Sequence, residues 1–250
     1  MNKEFVAAYS MLEKKHWWFV GRQKIILQFL KQYSDQPALN ILNIGAAGGA
    51  SSQWLSALGK VVSVETEPFF ITHLQALDID VVNASVTSMP FPDNSFDLVC
   101  AFDVIEHVAD DSAAMKEMER VCKTGGTVCV TVPAFKMLWS NHDVVNGHHR
   151  RYTKKSLSSL GENITTLKEA AINYFNSLLF LPILLARKWS NLFPTVSQKG
   201  QSDFTFYKTP GPLNDLLKII FSAESSLLKL IPFHFGVSLI GVWKKTGGSK

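Results

Sequence analysis

Cysteine is scarce in this chain of 250 residues, which contains only Cys100, Cys122 and Cys129. Three cysteines are too few for a disulfide framework, and none of their spacings is Cys-x-x-Cys. This scarcity favours a reducing compartment and argues against zinc, so we expect no metal. The sequence therefore predicts a cytoplasmic protein.

Long hydrophobic runs are also missing. The longest apolar stretch, residues 175–186, contains Asn176, Ser177 and Pro182, and it is too short to span a bilayer. The first residues intersperse charged and apolar side chains, which is not typical of a signal peptide. These features exclude a membrane-spanning chain, while contact with a membrane surface stays open.

Charged residues make up only 18% of the chain, and they are unevenly distributed. Residues 1–135 carry 10 Lys and Arg against 15 Asp and Glu, whereas residues 136–250 carry 15 against 6. The basic part is expected to face an anion, such as a carboxylate, a phosphate or a lipid surface. Nucleic acid is not expected, because the positive charge is spread out and no basic-aromatic module is present.

Hydrophobic periodicity predicts an α/β fold. Apolar side chains recur at helical spacing over residues 4–32, which predicts one helix there, and further helices are predicted at 51–58, 68–77, 111–121 and 154–160. Seven strands are predicted at 40–44, 61–65, 81–84, 96–102, 127–132, 164–174 and 237–244. Alternating strands and helices predict a doubly wound, mostly parallel sheet.

A glycine-rich segment follows the first predicted strand. Residues 45–49 read Gly-Ala-Ala-Gly-Gly at a strand-to-helix turn, where glycine lets a ligand approach the backbone and the helix N-terminus favours negative charge. Glu65 ends the second strand 20 residues after Gly45, where an acidic side chain can bind ribose hydroxyls. The alternative is a glycine-rich turn of the kind that any α/β protein contains.

A series of motifs follows in order along the chain. Residues 89–97 read Met-Pro-Phe-Pro-Asp-Asn-Ser-Phe-Asp, residues 103–107 read Asp-Val-Ile-Glu-His, and residues 120–126 read Arg-Val-Cys-Lys-Thr-Gly-Gly. Over about residues 38–135, and again in the last strand, the chain resembles the class I S-adenosylmethionine-dependent methyltransferases of the type 11-like group. The resemblance implies a Rossmann-like fold and S-adenosylmethionine as the cofactor.

The resemblance also implies a set of cofactor contacts. The 45–49 turn would hold the methionine part, Glu65 the ribose, and Ser85 with Val86 the adenine, while Phe102 and Asp103 would line the floor near the sulfonium. The implied cofactor-binding residues are Asn43, Gly45, Ala47, Gly49, Glu65, Ser85, Val86, Phe102 and Asp103.

Three positions depart from the family pattern. Asn43 replaces the acid that usually ends the first strand, Ala47 replaces the second glycine, and Ser85 replaces the usual acid of the adenine loop. Asn and Ser can still hydrogen-bond the cofactor, but without a charge. A degenerate methyltransferase fold that acts as a binding protein is therefore one alternative function. A nicotinamide-dependent oxidoreductase is a weaker one, which Gly45 and Glu65 alone would permit.

Two further segments resemble a subgroup of bacterial methyltransferases associated with surface-polysaccharide and lipid-linked glycan pathways. They are the His-Trp-Trp-Phe run at 16–19 with Arg22, and the loop at 138–152. Paired arginines in such a loop usually bind a planar anion, although salt bridges within the protein are the alternative. The predicted substrate-binding residues are His16, Trp17, Trp18, Arg22, Asp143, Arg150, Arg151 and Tyr152.

Three histidines are candidate general bases. His107 follows the fourth predicted strand, at the edge of the sheet where ligands bind, while His142 and His148 lie in the 138–152 loop. A loop histidine that caps the next helix is an equal alternative for His107. Trp17 and Trp18 cannot share one helix face, so at least one should leave the core, as part of a lid, as a membrane-interface anchor or in other packing.

We predict a single domain over residues 1–250. Its parts are an N-terminal helical lid at 1–35, a cofactor-binding core at 36–135, and a third part at 136–250 with the substrate loop, a helical cap and the last strand. The predicted activity is methyl transfer from S-adenosylmethionine to an oxygen or nitrogen atom of an anionic small-molecule, lipid-linked or glycan-linked acceptor. The chain is expected to act as a monomer or a homodimer.

Overall fold

A seven-stranded sheet is the framework of the chain. The computed structural model describes residues 3–34, 37–192, 211–228 and 231–247. The strands are β1 (Leu39–Ile44), β2 (Gly59–Glu65), β3 (Val81–Asn83), β4 (Phe96–Phe102), β5 (Cys122–Pro133), β6 (Leu167–Phe175) and β7 (Ser238–Lys245). Their order is β3-β2-β1-β4-β5-β7-β6; β1 to β5 pair in parallel, and β7 is antiparallel to both its neighbours. The predicted mostly parallel sheet of seven strands is confirmed.

Helices connect the strands. They are α1 (Lys3–Lys15), α2 (Trp17–Tyr33), α3 (Ala50–Leu55), α4 (Pro68–Ala76), α5 (Asp111–Val121), α6 (Asn141–Val145), α7 (Lys154–Glu162), α8 (Phe180–Leu192) and α9 (Pro212–Leu227). Short 3₁₀ turns lie at Ile105–His107 and Lys136–Leu138. Among the residues that the structure describes, no helix combines the length and the hydrophobicity needed to cross a membrane.

The N-terminal helix is divided into two, and the prediction of one continuous helix over 4–32 is wrong at this point. His16 has an extended backbone, with φ −73° and ψ 136°, between α1 and α2. Its buried side chain accepts a hydrogen bond from the Trp18 backbone N–H at 3.3 Å. His16 is therefore the N-cap of α2, because it satisfies one of the free donors of the first helical turn.

Two hydrophobic clusters pack helices against the sheet. One includes Met115 and Met118 of α5 and Leu157 of α7. The other includes Ile25 of α2 and Phe221 of α9. Helix α2 can approach α9 closely because Gly21 has no side chain, and a Cβ there would lie 2.3 Å from the Phe221 ring.

Helices α8 and α9 lie within the 136–250 part, where a helical cap is predicted, and residues 193–210 and 229–230 lie outside the described part of the chain. After α9 the chain returns to the sheet as β7, between β5 and β6. The strands β1, β2, β4 and β5 are parallel, so their carboxyl ends meet at one edge of the sheet. The predicted site residues follow these ends, and ligands of such sheets bind at this edge.

Candidate functional site

The turn at 45–49 leads from β1 into α3. Gly45 and Gly49 have φ values of +71° and +90°, a left-handed conformation that favours glycine. A Cβ at Gly45 would lie 2.5 Å from Val104, and one at Gly49 would lie 2.9 Å from Ile79. Both positions therefore require glycine for backbone conformation and for space.

Glu65 binds this turn from the end of β2. Its carboxylate accepts the Ala47 N–H at 2.9 Å, and it also accepts the backbone N–H groups of Thr66 at 2.8 Å and Glu67 at 3.1 Å. Ala47 has a φ of +44°, in which an L-residue is strained by about 1 kcal/mol. Glu65 therefore lies against the turn. Ala47, which replaces the second glycine of the family pattern, has the left-handed backbone that a glycine would adopt more easily.

Asn43 donates its side-chain hydrogen bonds to other residues of the protein. It is fully buried in β1, and its amide donates hydrogen bonds of 2.8 Å to the hydroxyls of Ser51 and Ser52. The side chain thus ties β1 to α3 within the protein. Its predicted contact with the cofactor has no support from this arrangement.

The two predicted adenine contacts follow β3. Ser85 is exposed and its hydroxyl accepts the Thr87 backbone N–H at 3.2 Å, whereas Val86 is buried in a core cluster. The structure therefore leaves Ser85 accessible to a ligand and gives Val86 a packing role.

Helix α1 lies against the glycine-rich turn. The Ser10 hydroxyl donates to the Gly48 carbonyl at 3.0 Å, and the Glu13 carboxylate accepts the Ala50 N–H at the start of α3 at 3.3 Å. Burial raises the pKa of Glu13 to about 7. Glu13 was not predicted as a site residue, because the sequence around it shows only helical periodicity. An acidic group is thus placed where the N-terminus of α3 favours negative charge.

Trp17 and Trp18 face different surroundings, as expected of adjacent aromatic residues on one helix. Trp17 is buried against Phe221 of α9, while Trp18 is half-buried and lies 4.4 Å below the Arg22 guanidinium. Arg22 also forms an ion pair with Asp103. Helix α2 thus contributes Trp18 and Arg22 to the edge of the sheet, and Trp17 to the core.

Asp103 lies directly after β4 and has a φ of +56°. Its carboxylate accepts the Thr131 hydroxyl at 3.3 Å in addition to the Arg22 ion pair. The preceding Phe102 is buried and packs on Trp54, with ring centroids 5.4 Å apart. Asp103 and Phe102 thus place one carboxylate and one aromatic ring at the end of β4, and their contact with the cofactor stays a prediction.

The loop after β5 is organised around Asp143, which is fully buried. Its carboxylate accepts hydrogen bonds from Arg151 Nε at 2.7 Å, Arg151 Nη2 at 3.0 Å and His148 Nδ1 at 2.8 Å. Burial alone would raise the pKa of Asp143, but the hydrogen bonds from His148 and Arg151 hold this pKa well below its ordinary value. Asp143 and Arg151 therefore form the interior of the loop.

Arg150 and Tyr152 meet at a second carboxylate, Asp111 of α5. Arg150 lies 2.7 Å from Asp111, and the Tyr152 hydroxyl donates to it at 2.8 Å. The alternative interpretation, ion pairs within the protein, describes the contacts of both Arg150 and Arg151. The Arg151 side chain is 2% exposed, whereas that of Arg150 is 32% exposed and still reaches solvent.

The three candidate histidines come together at the same edge. The His148 ring centroid lies 4.6 Å from that of His107 and 5.8 Å from that of His142. Glu106, next to His107, is fully buried, and neither of its carboxylate oxygens has a hydrogen-bond partner in the described ranges. Burial, with a contribution from Asp103, raises the pKa of Glu106 well above its ordinary value. Glu106 was missed as a functional residue, although its Glu-His dipeptide belongs to the motif series.

The space between these elements is small. A cavity of about 10 Å³ lies between the N-terminal helices and α3, and it is lined by Glu13, Phe19, Arg22, Gln23, Ala50, Ser51 and Trp54. Sites for drug-sized ligands are about 300 Å³ or larger. The cavity is lined by neither the 45–49 turn nor Glu65.

Residues 42–130 match the family model described as a methyltransferase domain. A Mycobacterium tuberculosis protein named "Probable S-adenosylmethionine-dependent methyltransferase" is 26% identical over 125 residues, 49% of this chain and 44% of the relative. A ubiquinone/menaquinone biosynthesis C-methyltransferase of Shewanella baltica is 32% identical over 157 residues, 56% of this chain and 61% of the relative. The chain thus spans about half the length of the curated relatives it matches.

Solved structures share the whole fold at low sequence identity. A SAM-dependent methyltransferase from Archaeoglobus fulgidus aligns with a TM-score of 0.60 at 15% identity, over 95% of this chain and 99% of its own. A chain of the complex between the Haloferax volcanii Trm112 methyltransferase activator and a methyltransferase aligns with a TM-score of 0.64 at 15% identity, over 99% and 96%. The predicted Rossmann-like fold is confirmed, and residues 42–130 are similar in sequence to the methyltransferase domain.

Proposed function

We propose that this chain transfers the methyl group of S-adenosylmethionine to an oxygen or nitrogen atom of an acceptor at the carboxyl edge of β4 and β5. The observation that carries the proposal is the glycine-rich turn joined to Glu65, which lies inside the segment that matches the methyltransferase domain. The cofactor supplies a methyl group activated by the positive charge on its sulfur. The chain's own residues then have to bind, align and enclose the two reactants.

Glu65 is the proposed ribose contact. A carboxylate offers about four acceptor sites, and three backbone N–H groups occupy Glu65 in this structure. A ribose hydroxyl can take the remaining site without displacing the turn. The 45–49 turn is the proposed contact for the methionine part, and Asp103 with Phe102 forms the floor below the reacting centre.

Helix α1 is the proposed lid. It covers the turn through Ser10 and Glu13, and the cavity beneath it has room for about one water molecule. Reopening and closure of this helix would admit the cofactor and then exclude water. A dry site strengthens the electrostatic interactions that align the reactants.

The acceptor is proposed to bind beside the group of His107, His142 and His148. Each of these side chains can receive a proton from an acceptor hydroxyl or ammonium group. Arg150, together with the excess of basic residues in 136–250, favours an acceptor that carries a carboxylate or phosphate.

A lipid-linked acceptor is a second candidate, which the surface of α8 and α9 favours. Leu181, Leu185, Leu213 and Ile219 are 63 to 66% exposed. Vesicle co-sedimentation with anionic lipids tests this candidate, since the double variant Leu181→Ser with Leu185→Ser should lose membrane binding while keeping its fold. Wild-type protein that stays in the supernatant would contradict it.

Calorimetric titration tests the cofactor assignment. S-adenosylhomocysteine should bind and NAD should not, and Glu65→Ala should weaken the binding at least about tenfold, since a charged hydrogen bond contributes about 1.5 kcal/mol or more. Glu67→Ala is the matched control, because Glu67 is an acidic neighbour that caps α4. Binding of NAD alone, or an unchanged dissociation constant for Glu65→Ala, would contradict the assignment.

Transfer of a radiolabelled methyl group separates an enzyme from a binding protein. We expect label from S-adenosylmethionine to appear in anionic small-molecule or lipid fractions of a bacterial extract. Tight binding of S-adenosylhomocysteine without transfer to any fraction would favour the degenerate-fold alternative.

A further inference from the structure

Glu106, His107 and His148 form a cluster, called here the Glu-His-His cluster, that the proposed function does not fully explain. One donor atom from each residue lies within 4.8 Å of the other two. Glu106 and His107 belong to the 3₁₀ turn after β4, and His148 belongs to the loop after α6. The backbone N–H of His149 donates to the Glu106 carbonyl at 2.8 Å, so the two segments are joined next to the cluster.

Glu106 is the first indication of a bound ion. Its side chain is 0% exposed, and both carboxylate oxygens lack a hydrogen-bond partner among the described residues. Burying a carboxyl group without partners is costly, and buried polar groups are normally satisfied. A cation between this carboxylate and the two imidazoles would satisfy it.

The orientation of the two histidines is the second indication. His148 donates from Nδ1 to Asp143, which Arg151 holds in place, and its Nε2 is left with a lone pair. The His107 ring packs edge-on against the His148 ring, with ring centroids 4.6 Å apart. Histidines that bind metals usually donate their other ring N–H to a carboxylate or a backbone carbonyl, which fixes the tautomer. His148 has such an anchor in Asp143.

We propose that Glu106, His107 and His148 bind one divalent transition-metal ion. Two imidazoles and one carboxylate form the donor set of His₂Glu zinc sites and of non-haem iron sites. Donor atoms around one such ion lie about 3 to 3.5 Å apart, so the three side chains close by about 1 to 2 Å on binding. Magnesium and calcium prefer sites made of oxygen atoms and should bind far more weakly.

The ion would stand at the edge where the acceptor is proposed to bind. His107 is exposed, which gives an ion access from solvent, and Asp103 acts electrostatically on both Glu106 and His107. With three protein ligands, coordination positions remain for an acceptor oxygen. The role of the ion in binding the acceptor rests on the proposed function, whereas binding of the ion to the cluster does not.

In this role His107 and His148 act as ligands. The ion lowers the pKa of the acceptor hydroxyl, whose proton leaves to water. The oxygen then forms a bond to the methyl carbon while the carbon–sulfur bond breaks, and that electron pair stays on sulfur. An acceptor with a hydroxyl group is therefore the class that the site would take.

Cobalt titration of the full chain, free of a polyhistidine tag and stripped with a chelator, tests the site. Co²⁺ should bind at one ion per chain by calorimetry and develop a visible absorption band, Zn²⁺ should displace it, and Mg²⁺ should not. Glu106→Gln and His107→Ala should each weaken Co²⁺ binding at least about tenfold. His149→Ala is the control, because His149 is an exposed histidine next to the cluster and should bind Co²⁺ like the wild type.

Circular dichroism of each variant without metal shows whether it is folded, and the exposed position of His107 keeps a folded variant available. Absence of stoichiometric Co²⁺ binding, or equal binding by the wild type, Glu106→Gln and His107→Ala, would overturn the proposal. S-adenosylhomocysteine binding is measured on the same samples. Metal binding without nucleoside binding would support the metal site and overturn the proposed function, and the reverse result would overturn the metal site alone.

Discussion

The turn at 45–49 and the loop at 138–152 lie at the same edge of the sheet but are held in different ways. Backbone geometry shapes the turn, with glycine at the positive φ angles of Gly45 and Gly49 and with a single carboxylate, Glu65, accepting its N–H. Ion pairs shape the loop, where buried Asp143 binds Arg151 and His148. The turn is therefore sensitive to an added Cβ, and the loop to a removed charge.

This difference decides where a ligand can act. In the proposed function, the turn is the cofactor side of the site and α1 is the lid that covers it. Arg151 of the loop is buried in its pair with Asp143, so in the proposed function the acceptor meets the histidines and the partly exposed Arg150.

The largest expected effect is loss of the buried ion pair in the loop. Arg151→Ala should lower the free energy of unfolding by about 3 to 5 kcal/mol, because it removes the guanidinium that neutralises the buried Asp143 carboxylate and two of its hydrogen bonds. Arg150→Ala is the matched control and should cost at most about 1 kcal/mol, since its pair with Asp111 is partly exposed. Equilibrium urea unfolding measures both variants. Equal, small losses would contradict the view that ion pairs hold the loop.

A pH dependence is expected on the cofactor side, through Glu13 of α1. Its pKa is about 7 in the folded chain against an ordinary 4.5, so the folded protein keeps a proton that the unfolded chain loses in this range. Stability should therefore fall as pH rises from about 4.5 to about 7, by at most about 3 kcal/mol from this group.

Glu13→Gln should remove that part of the fall. Unfolding free energies at pH 5 and pH 8 measure the effect as a difference between variant and wild type. Glu4→Gln, on an exposed site of the same helix, is the control. Parallel pH profiles for wild type and Glu13→Gln would show that the carboxylate is not buried against α3.

Smaller effects of opposite sign are expected within the turn. Gly49→Ala should destabilise the fold by about 1 to 3 kcal/mol, because its φ is +90° and the new Cβ would meet Ile79. Ala47→Gly should stabilise it by about 0.5 to 1 kcal/mol, because it relieves a positive φ at some cost in chain entropy. Thermal unfolding measures both, and changes of the same sign would contradict the assigned backbone conformations.

The sequence predicts the turn side well because its requirements are local. A strand, a glycine-rich turn and an acid at the end of the next strand are all visible as residue patterns, and β4 and α5 have the predicted bounds. The break at His16 is not visible in the sequence, because apolar residues continue at helical spacing on both sides of it. Tertiary packing decides where the helix is interrupted. The hydrogen bonds from the Asn43 amide to two serines of α3 are likewise not visible in the sequence.

The contacts of the loop are less predictable, because the tertiary fold decides which charged side chains form ion pairs. The sequence shows Arg150, Arg151 and Asp143 close together, but it does not show that Arg151 is buried or that Arg150 reaches Asp111. The expectation of no metal rested on cysteine spacing. Cysteine spacing says nothing about histidine and carboxylate ligands that come from separate segments, such as His148 and Glu106.

Amide hydrogen exchange with and without S-adenosylhomocysteine tests the division between the two regions most directly. Bound nucleoside should slow exchange in residues 45–50, at 65–67 and along α1, and should leave the backbone of 141–152 unchanged. Protection confined to 141–152, or no protection in the 45–50 segment at saturating nucleoside, would contradict the assignment of the turn to the cofactor.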